Sequence, residues 1–254
     1  MNSVIPVTSL DQFEREILSL RASVPHPTTF RGQRIGRDRG WSLFPMITRE
    51  PRRRPPSLNI DQVKEVEEKF VEEFRRRMRS NPTDLIDNWD AAITGRHHRL
   101  VTRLLDWTES PQVALYFAVQ GDSNNGDSFV YGTNWERRFR GDLVAITKAN
   151  APWELAVDEK PFFFLPDFIS PRVYAQRSVL SVWGNPWEPF DQVIDPNAFW
   201  EFRVPRNLRG DIRTQLDWMG INEESLYPDP DGAARYLEWK CENEKWTGRG
   251  SKKP

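Results

Sequence analysis

The chain has 254 residues, of which 38% are hydrophobic and 29% charged, and its formal net charge at pH 7 is −1. That composition is typical of a globular protein, and the length suits one domain with a substantial core. The near-neutral charge does not favour binding of nucleic acid over the whole surface, one cysteine excludes a disulfide framework or a cysteine zinc site, and no apolar run reaches the length of a membrane span.

An amphipathic helix is the first predicted element. Ser9 and Gln12 have the spacing of a capping box, and apolar residues recur every three or four positions, at Leu10, Phe13, Ile17 and Leu20. Pro25 and Pro27 end the helix. Because residues 1–20 contain acids and this helix in place of a signal peptide, we expect a cytoplasmic protein.

A short strand is predicted at residues 28–32, and it carries Arg31 directly before Gly32. A guanidinium that leaves a strand can bind phosphate through two parallel hydrogen bonds, and the glycine lets the backbone come close to a ligand. Further arginines stand at positions 34, 37, 39 and 52–54. They form either a basic wall for phosphate or a solvated loop.

Two helices are predicted next, at residues 60–79 and 85–93. The first is amphipathic, with acidic residues early and arginines late, as the helix dipole favours. Its arginine run is therefore a helix end or, alternatively, a phosphate-binding patch.

The densest polar run of the chain lies before a helix whose two ends are both marked. Ser110 is the expected N-cap, Pro111 the first helical residue and Gly121 the left-handed stop. The preceding turn contains Thr102, Arg103, Asp106, Trp107 and Thr108. Such a strand-to-helix turn presents side chains and N–H groups to an anionic ligand; alternatively, Asp106 and Thr108 only cap the turn and Arg103 pairs with Asp106.

The second half of the chain mixes strands and helices. Strands are predicted at residues 128–131, 142–147, 172–183 (carrying Gln176) and 199–204, and residues 162–165 form a strand or a loop. Helices are predicted at residues 212–219 and 233–246, the latter with Leu237 and Cys241 on its inner face, and residues 248–254 form a disordered tail. This order of elements favours an α+β fold.

Several common sites are excluded by their missing motifs. The sequence has no glycine-rich phosphate loop, no dinucleotide glycine fingerprint and no two-histidine zinc helix, so we expect no metal. His97 and His98 are adjacent, so in a strand they would point to opposite faces and could not easily bind one metal together. One of them either forms a hydrogen bond to a ligand or is structural.

Several stretches resemble the FRG domain family, which is named after a Phe-Arg-Gly motif. Phe30-Arg31-Gly32 with Gln33 has that motif, and Thr102-Arg-Leu-Leu-Asp-Trp-Thr108 followed by Ala114-Leu-Tyr-Phe-Ala118 resembles the central signature. Further matches lie at residues 41–49 and 226–229, and a partial match lies at residues 176–180. The family's usual Gln-His-Tyr-Gly-Leu-Pro reads Arg-His-His-Arg-Leu-Val at residues 96–101. The resemblance implies a single domain at residues 1–247 with its core at about 28–238.

The layout also resembles the ADP-ribosyltransferase plan. That resemblance implies a mixed or antiparallel β core with N-terminal and C-terminal helices packed around it, and NAD as the substrate. It implies catalytic roles for Arg31, Asp106 and Gln176, and NAD contacts from Arg31, Gly32, Gln33, His97, Thr102, Arg103 and Thr108. Gln176 stands where a glutamate is expected, and an amide cannot supply its charge. Asp106, Glu188 and Glu201 are the alternative carboxylates.

Three functions stay open from the sequence. The first is an NAD-dependent ADP-ribosyltransferase or NAD hydrolase that acts as a bacterial toxin-like or anti-phage effector. The second is a nucleotide-binding or nucleic-acid-binding domain without catalysis, in which arginines bind phosphates and tryptophans stack on bases. The third is a protein-interaction module. A nucleotide is the expected ligand, no membrane partner is expected, and the sequence does not define an oligomeric state.

Overall fold

The computed structural model describes residues 4–24, 27–36, 39–49, 58–78, 87–121, 126–136, 138–167 and 170–243. Their strands are β1 (Ile5–Pro6), β2 (Thr28–Gln33), β3 (Leu105–Thr108), β4 (Ser128–Asn134), β5 (Phe162–Phe164), β6 (Ser178–Val182) and β7 (Phe199–Val204). These strands form one sheet in the order β1-β7-β4-β2-β3-β6-β5. The β1–β7 pair is parallel and the other pairs are antiparallel.

Helices surround this sheet. In chain order those of the described residues are α1 (Leu10–Ser23), α2 (Met46–Arg49), α3 (Ile60–Met78), α4 (Asn88–His97), α5 (Pro111–Val119), α6 (Asp142–Thr147), α7 (Pro171–Ala175), α8 (Phe190–Val193), α9 (Arg209–Trp218), α10 (Glu223–Leu226) and α11 (Pro230–Asn243). A mixed sheet with helices at both ends of the chain confirms the predicted fold class. The likeness to the ADP-ribosyltransferase fold and the single-domain boundaries stay predictions.

Local capping explains the two helices whose ends were predicted best. The Ser9 side chain accepts a hydrogen bond from the Gln12 N–H at the start of α1, and the Ser110 side chain accepts one from the Val113 N–H at the start of α5. Gly121 follows α5 with a φ of 74°, the left-handed conformation that glycine adopts without strain. Both helix starts and the stop after α5 are confirmed.

Three apolar clusters hold the layers together. On one face of the sheet α1, α5 and α9 pack against β2, β4 and β7, and the rings of Phe13 and Phe202 meet edge to face at 5.3 Å. On the other face an aromatic cluster is centred on Trp107 and Phe190, whose ring centroids are 4.8 Å apart. The third cluster packs α3 and α4 against β5 and β6.

One predicted strand is wrong, and another is right only in its second half. Residues 142–147 form α6, in which Leu143 is buried while Val144 and Ile146 are exposed, so apolar alternation here does not reflect a half-buried strand. Residues 172–183 begin as α7, with Pro171 at the first helical position, and Arg177 with a φ of 46° separates this helix from β6. Gln176 is therefore the C-cap of α7 and not a strand residue.

The inner face of α11 also differs from the prediction. Leu237 is 53% exposed and Cys241 is an exposed free thiol, whereas Gly232 and Trp239 are the buried residues of this helix. Several predictions lie outside the described residues: Arg37, Arg79, the arginines at 52–54, positions 85–86 of the predicted short helix and the tail at 248–254.

Gly32 makes a close contact between β2 and α5, and a prediction follows from it. A Cβ at this position would lie 1.9 Å from the Ala114 carbonyl oxygen and 2.6 Å from the Ala118 nitrogen. Because these are backbone atoms of a packed helix, we expect Gly32→Ala to lower the free energy of unfolding by about 1–3 kcal/mol or more. Urea unfolding followed by circular dichroism measures the change.

Gly210→Ala is the matched control for this substitution. A Cβ at Gly210 would have no heavy atom within 4 Å, and the residue lies inside α9. Alanine has the higher helix propensity, so the control should raise stability by up to about 1 kcal/mol. Equal stability of Gly32→Ala and the native protein would contradict the packing role of Gly32.

Candidate functional site

The strands β2 and β3 separate soon after they meet. They pair only at Phe30 and Thr108, whereas β2 pairs with β4 at six positions and β3 with β6 at four. Beyond this pair the Asp106 carbonyl oxygen accepts a hydrogen bond from Arg31 Nη1 at 2.7 Å. In a continuous sheet a backbone N–H of the neighbouring strand would donate this bond, and here a side chain donates it. The separation opens a cleft in the middle of the sheet.

The cleft has a volume of about 360 Å³ and a cationic lining. Six arginines line it: Arg31, Arg34, Arg49, Arg96, Arg99 and Arg172. Among the described residues of this lining, Asp106 is the only carboxylate. The aromatic residues of the lining are Phe30, Trp41, Trp107, Phe117 and Tyr227. Such a lining suits an anion that also carries a ring.

Asp106 is held by the last turn of α4. Its Oδ2 accepts hydrogen bonds from Arg96 Nε at 2.9 Å and from Arg96 Nη2. The Arg96 side chain is 8% exposed and that of Asp106 is 39% exposed. Burial by itself raises the pKa of Asp106, but the charges of Arg96 and Arg31 outweigh it and keep the pKa below its usual value. The cleft therefore contains one carboxylate that stays ionised at neutral pH.

Three polar atoms around the cleft have no hydrogen-bond partner within the described part of the chain: Arg31 Nε, Gln33 Oε1 and His97 Nε2. Burial lowers the pKa of Arg31 to about 10 despite the nearby Asp106, so the guanidinium is charged at neutral pH. Burial also lowers the pKa of His97, which is therefore neutral at pH 7. Buried polar atoms usually have partners, so these three atoms mark places where a ligand can bind.

Gln33, Thr108 and Gln176 shape the walls of the cleft. Gln33 Nε2 donates to the carbonyl oxygens of Ile35 and Trp41, which holds the loop after β2 against the strand. Thr108 Oγ1 donates to the Gln176 carbonyl oxygen, and Gln176 Nε2 donates to the Leu226 carbonyl oxygen at 3.0 Å. The Gln176 amide thus connects α7 to α10, which favours a structural role over the predicted catalytic one.

Seven of the predicted site residues meet at this cleft: Arg31, Gly32, Gln33, His97, Asp106, Thr108 and Gln176. Thr102 and Arg103 do not line it, and both are fully buried. The alternative in which Arg103 pairs with Asp106 does not occur, because Arg103 Nε donates to Glu67 Oε2 of α3 at 2.6 Å. Their positions favour structural roles over the predicted contacts with NAD.

The alternative carboxylates do not reach the cleft either. Glu188 lines a separate pocket with Trp183 and Asn185, and Glu201 is a buried residue of β7 opposite Tyr131. In the described part of the chain, no three His, Cys, Asp or Glu side chains come together to hold a metal ion. None of the described helices is long and apolar enough to cross a membrane.

Several residues of the site were missed as ligand contacts in the sequence, among them Arg96, Arg99, Arg172 and Tyr227. Arg172 donates to Asp229 Oδ2 at 2.8 Å, and its guanidinium lies over the Tyr227 ring at 5.4 Å from the centroid. Arg99 also lines the cleft and has a φ of 67° just after α4. The motif at residues 226–229 was a usable signal for Tyr227, since the family resemblance included it.

Comparison with protein families identifies part of this chain. Residues 26–127 match the family model of the FRG domain, and the match includes β2, α4, β3 and α5 with Arg31, Arg96, His97 and Asp106. The chain therefore contains an FRG domain, as its motifs predicted. Arg172, Gln176 and Tyr227 lie beyond the matched residues. No curated protein and no solved structure matches the chain.

Proposed function

We propose that the cleft of this FRG domain binds a nucleotide with two linked phosphates, and that NAD and ADP-ribose are its ligands. The observation that carries this proposal is the lining of six arginines around one carboxylate. Guanidinium groups bind phosphate through parallel, charge-assisted hydrogen bonds, and two linked phosphates offer enough oxygens for several of them. The unpartnered Arg31 Nε is one donor that such a ligand would use.

The aromatic lining supports a ligand with a base. Trp41 lines the cleft and is 37% exposed, and the lining also includes Phe117 of α5 and Tyr227 of the segment after α10. Rings of this kind bind planar bases by stacking. A volume of about 360 Å³ is within the range of small-molecule pockets, which favours a free nucleotide over a long nucleic acid.

Isothermal titration calorimetry with NAD and with ADP-ribose tests this function. We expect saturable binding of both at physiological salt. A single-stranded RNA that binds with a steep salt dependence, while NAD and ADP-ribose do not bind, would favour the nucleic-acid function instead.

Asp106 supports cleavage of NAD as a second function of the cleft. In this reaction the bond between ribose C1′ and the nicotinamide nitrogen breaks, nicotinamide leaves with the electron pair, and water or an acceptor hydroxyl adds to C1′ and loses a proton. The sugar develops positive charge before the addition. An ionised carboxylate in the cleft stabilises that charge, and Arg96 keeps Asp106 ionised.

Asp106→Asn tests this second function. The substitution keeps the shape of the side chain and removes its charge, so we expect nicotinamide release from NAD to fall at least tenfold. Stability should fall by only about 1 kcal/mol, because the side chain is partly exposed and the amide still accepts a hydrogen bond from Arg96. Chromatographic measurement of nicotinamide and urea unfolding give the two values.

Asp90→Asn is a matched control. Asp90 is 38% exposed and accepts a hydrogen bond from Arg140, which is 9% exposed, so its surroundings resemble those of Asp106 away from the cleft. The control should keep the full rate. An unchanged rate in Asp106→Asn would exclude a catalytic role for this carboxylate, and no release by the native protein would exclude cleavage while leaving nucleotide binding intact.

A further inference from the structure

A second compartment adjoins the cleft. It has a volume of about 400 Å³ and shares four lining residues with the cleft, namely Arg34, Arg99, Gln120 and Tyr227. Its other lining residues come from the segment after α5 and from α9, α10 and α11, and they include Arg235, Glu238 and Glu242. A ligand in the cleft can therefore extend past the shared residues into a space of similar size.

Tyr227 stands at the boundary between the two compartments. The Arg172 guanidinium, which lines the cleft, lies 5.4 Å from the Tyr227 ring centroid, and the Arg235 guanidinium, which lines the second compartment, lies 4.8 Å from it. Arg99 adds a further positive charge to the surroundings of this tyrosine. Cationic groups are thus concentrated where the two compartments meet.

The two compartments differ in their negative charge. Asp106 is the single carboxylate of the described cleft lining, whereas Glu223, Glu238 and Glu242 line the second compartment. Glu223 is paired with Arg213, and both side chains are almost buried. Glu238 and Glu242 are exposed residues on one face of α11, four positions apart. Carboxylates repel a phosphate but accept hydrogen bonds from sugar hydroxyls.

We propose that the ligand is a dinucleotide that spans both compartments, an inference that rests on the proposed function. Its pyrophosphate lies at the shared arginines, its nicotinamide riboside half occupies the cleft beside Asp106, and its adenosine half occupies the second compartment. Glu238 and Glu242 accept hydrogen bonds from the adenosine ribose. The same carboxylates reject a phosphate on that ribose, as acidic residues do at sites that select NAD over NADP.

Calorimetric titrations of the full chain with NAD, NADP and nicotinamide mononucleotide test the inference. We expect NAD to bind at least tenfold more tightly than nicotinamide mononucleotide, which fills the cleft alone. NADP should bind at least tenfold more weakly than NAD. In the double variant Glu238→Gln, Glu242→Gln the affinity for NADP should come within about threefold of that for NAD, while the affinity for nicotinamide mononucleotide stays unchanged.

Glu224→Gln is the control for these exposed glutamates, because Glu224 is an exposed residue of α10 and lines neither compartment. It should keep the preference of the native protein. Equal affinities for NAD and nicotinamide mononucleotide, or an unchanged preference in the double variant, would overturn the inference and leave nucleotide binding in the cleft standing. If none of the three compounds binds, the proposed function fails and the inference fails with it.

Discussion

Replacing Glu67 with alanine is expected to lower the free energy of unfolding by about 3–5 kcal/mol. Glu67 and Arg103 are both fully buried, and the carboxylate accepts hydrogen bonds from the Arg103 backbone N–H and from its Nε, each at 2.6 Å. Arg103 Nη1 also donates a hydrogen bond to the Gly184 carbonyl oxygen at 3.2 Å. The substitution leaves a buried charge without its counterion, which is the reason for the large effect.

Glu65→Ala is the matched control, since Glu65 lies two residues earlier on the same helix. Its carboxylate pairs with Lys69 at 2.6 Å, but both side chains are more than 60% exposed, so its removal should cost far less stability than the removal of Glu67. Urea unfolding of the two variants gives the comparison. Similar losses in both variants would mean that the buried pair contributes no more than a surface pair.

The same pair shows what the sequence could not reveal. Glu67 is one of several acidic residues in the first half of α3, where the helix dipole favours negative charge. Nothing in the local pattern distinguishes it from its exposed neighbours Glu65 and Glu68. Its partner is 36 positions away, and only the packing of α3 against the segment before β3 brings the two together. Arg103 was consequently assigned to the ligand, although its surroundings are the core.

Local signals, in contrast, were predictable. The helices α1 and α5 follow from side chains that cap their own first turns, and the stop after α5 follows from a glycine with positive φ. The strand predictions were wrong in segments whose apolar spacing fits a short helix as well as a strand. At residues 142–147 and 171–175 the choice depends on tertiary packing, which a local pattern does not contain.

The candidate site was predictable only where local motifs mark it. The motifs at residues 30–33 and 102–108 point to the two strands that separate at the cleft, and five of the seven expected cleft residues lie in these motifs. The remaining wall comes from Arg96, Arg172 and Tyr227, which belong to distant elements. Their approach depends on how α4, α7 and α10 pack around the sheet, and charge alone does not distinguish these arginines from the others in the chain.

Arg31→Lys is expected to remove most of the ligand-induced stabilisation of the protein. A ligand at about a hundredfold its dissociation constant adds roughly 2.7 kcal/mol to the folded state, which raises the melting temperature of a domain of this size by roughly 5–10 °C. We expect that rise with NAD or ADP-ribose for the native protein. Lysine cannot form two parallel hydrogen bonds to a phosphate, so the variant should bind at least tenfold more weakly.

The unliganded variant should melt close to the native temperature. A lysine ammonium can still donate to the Asp106 carbonyl oxygen that Arg31 Nη1 contacts, so the bridge between β2 and β3 is kept. Thermal unfolding with and without ligand measures both effects. Arg21→Lys is the control, because Arg21 Nη2 also donates to a backbone carbonyl oxygen, that of Glu109, yet the residue does not line the cleft.

The two roles open to Arg31 therefore give opposite results. If it binds phosphate, Arg31→Lys loses the response to ligand and Arg21→Lys keeps it. If it mainly holds β2 and β3 together, Arg31→Lys melts much lower without ligand while the rise with NAD persists. The first result is favoured by the Arg31 Nε, which has no hydrogen-bond partner among the described residues beside the cleft. It is also favoured by the charge of the guanidinium, which persists at neutral pH although burial lowers the pKa to about 10.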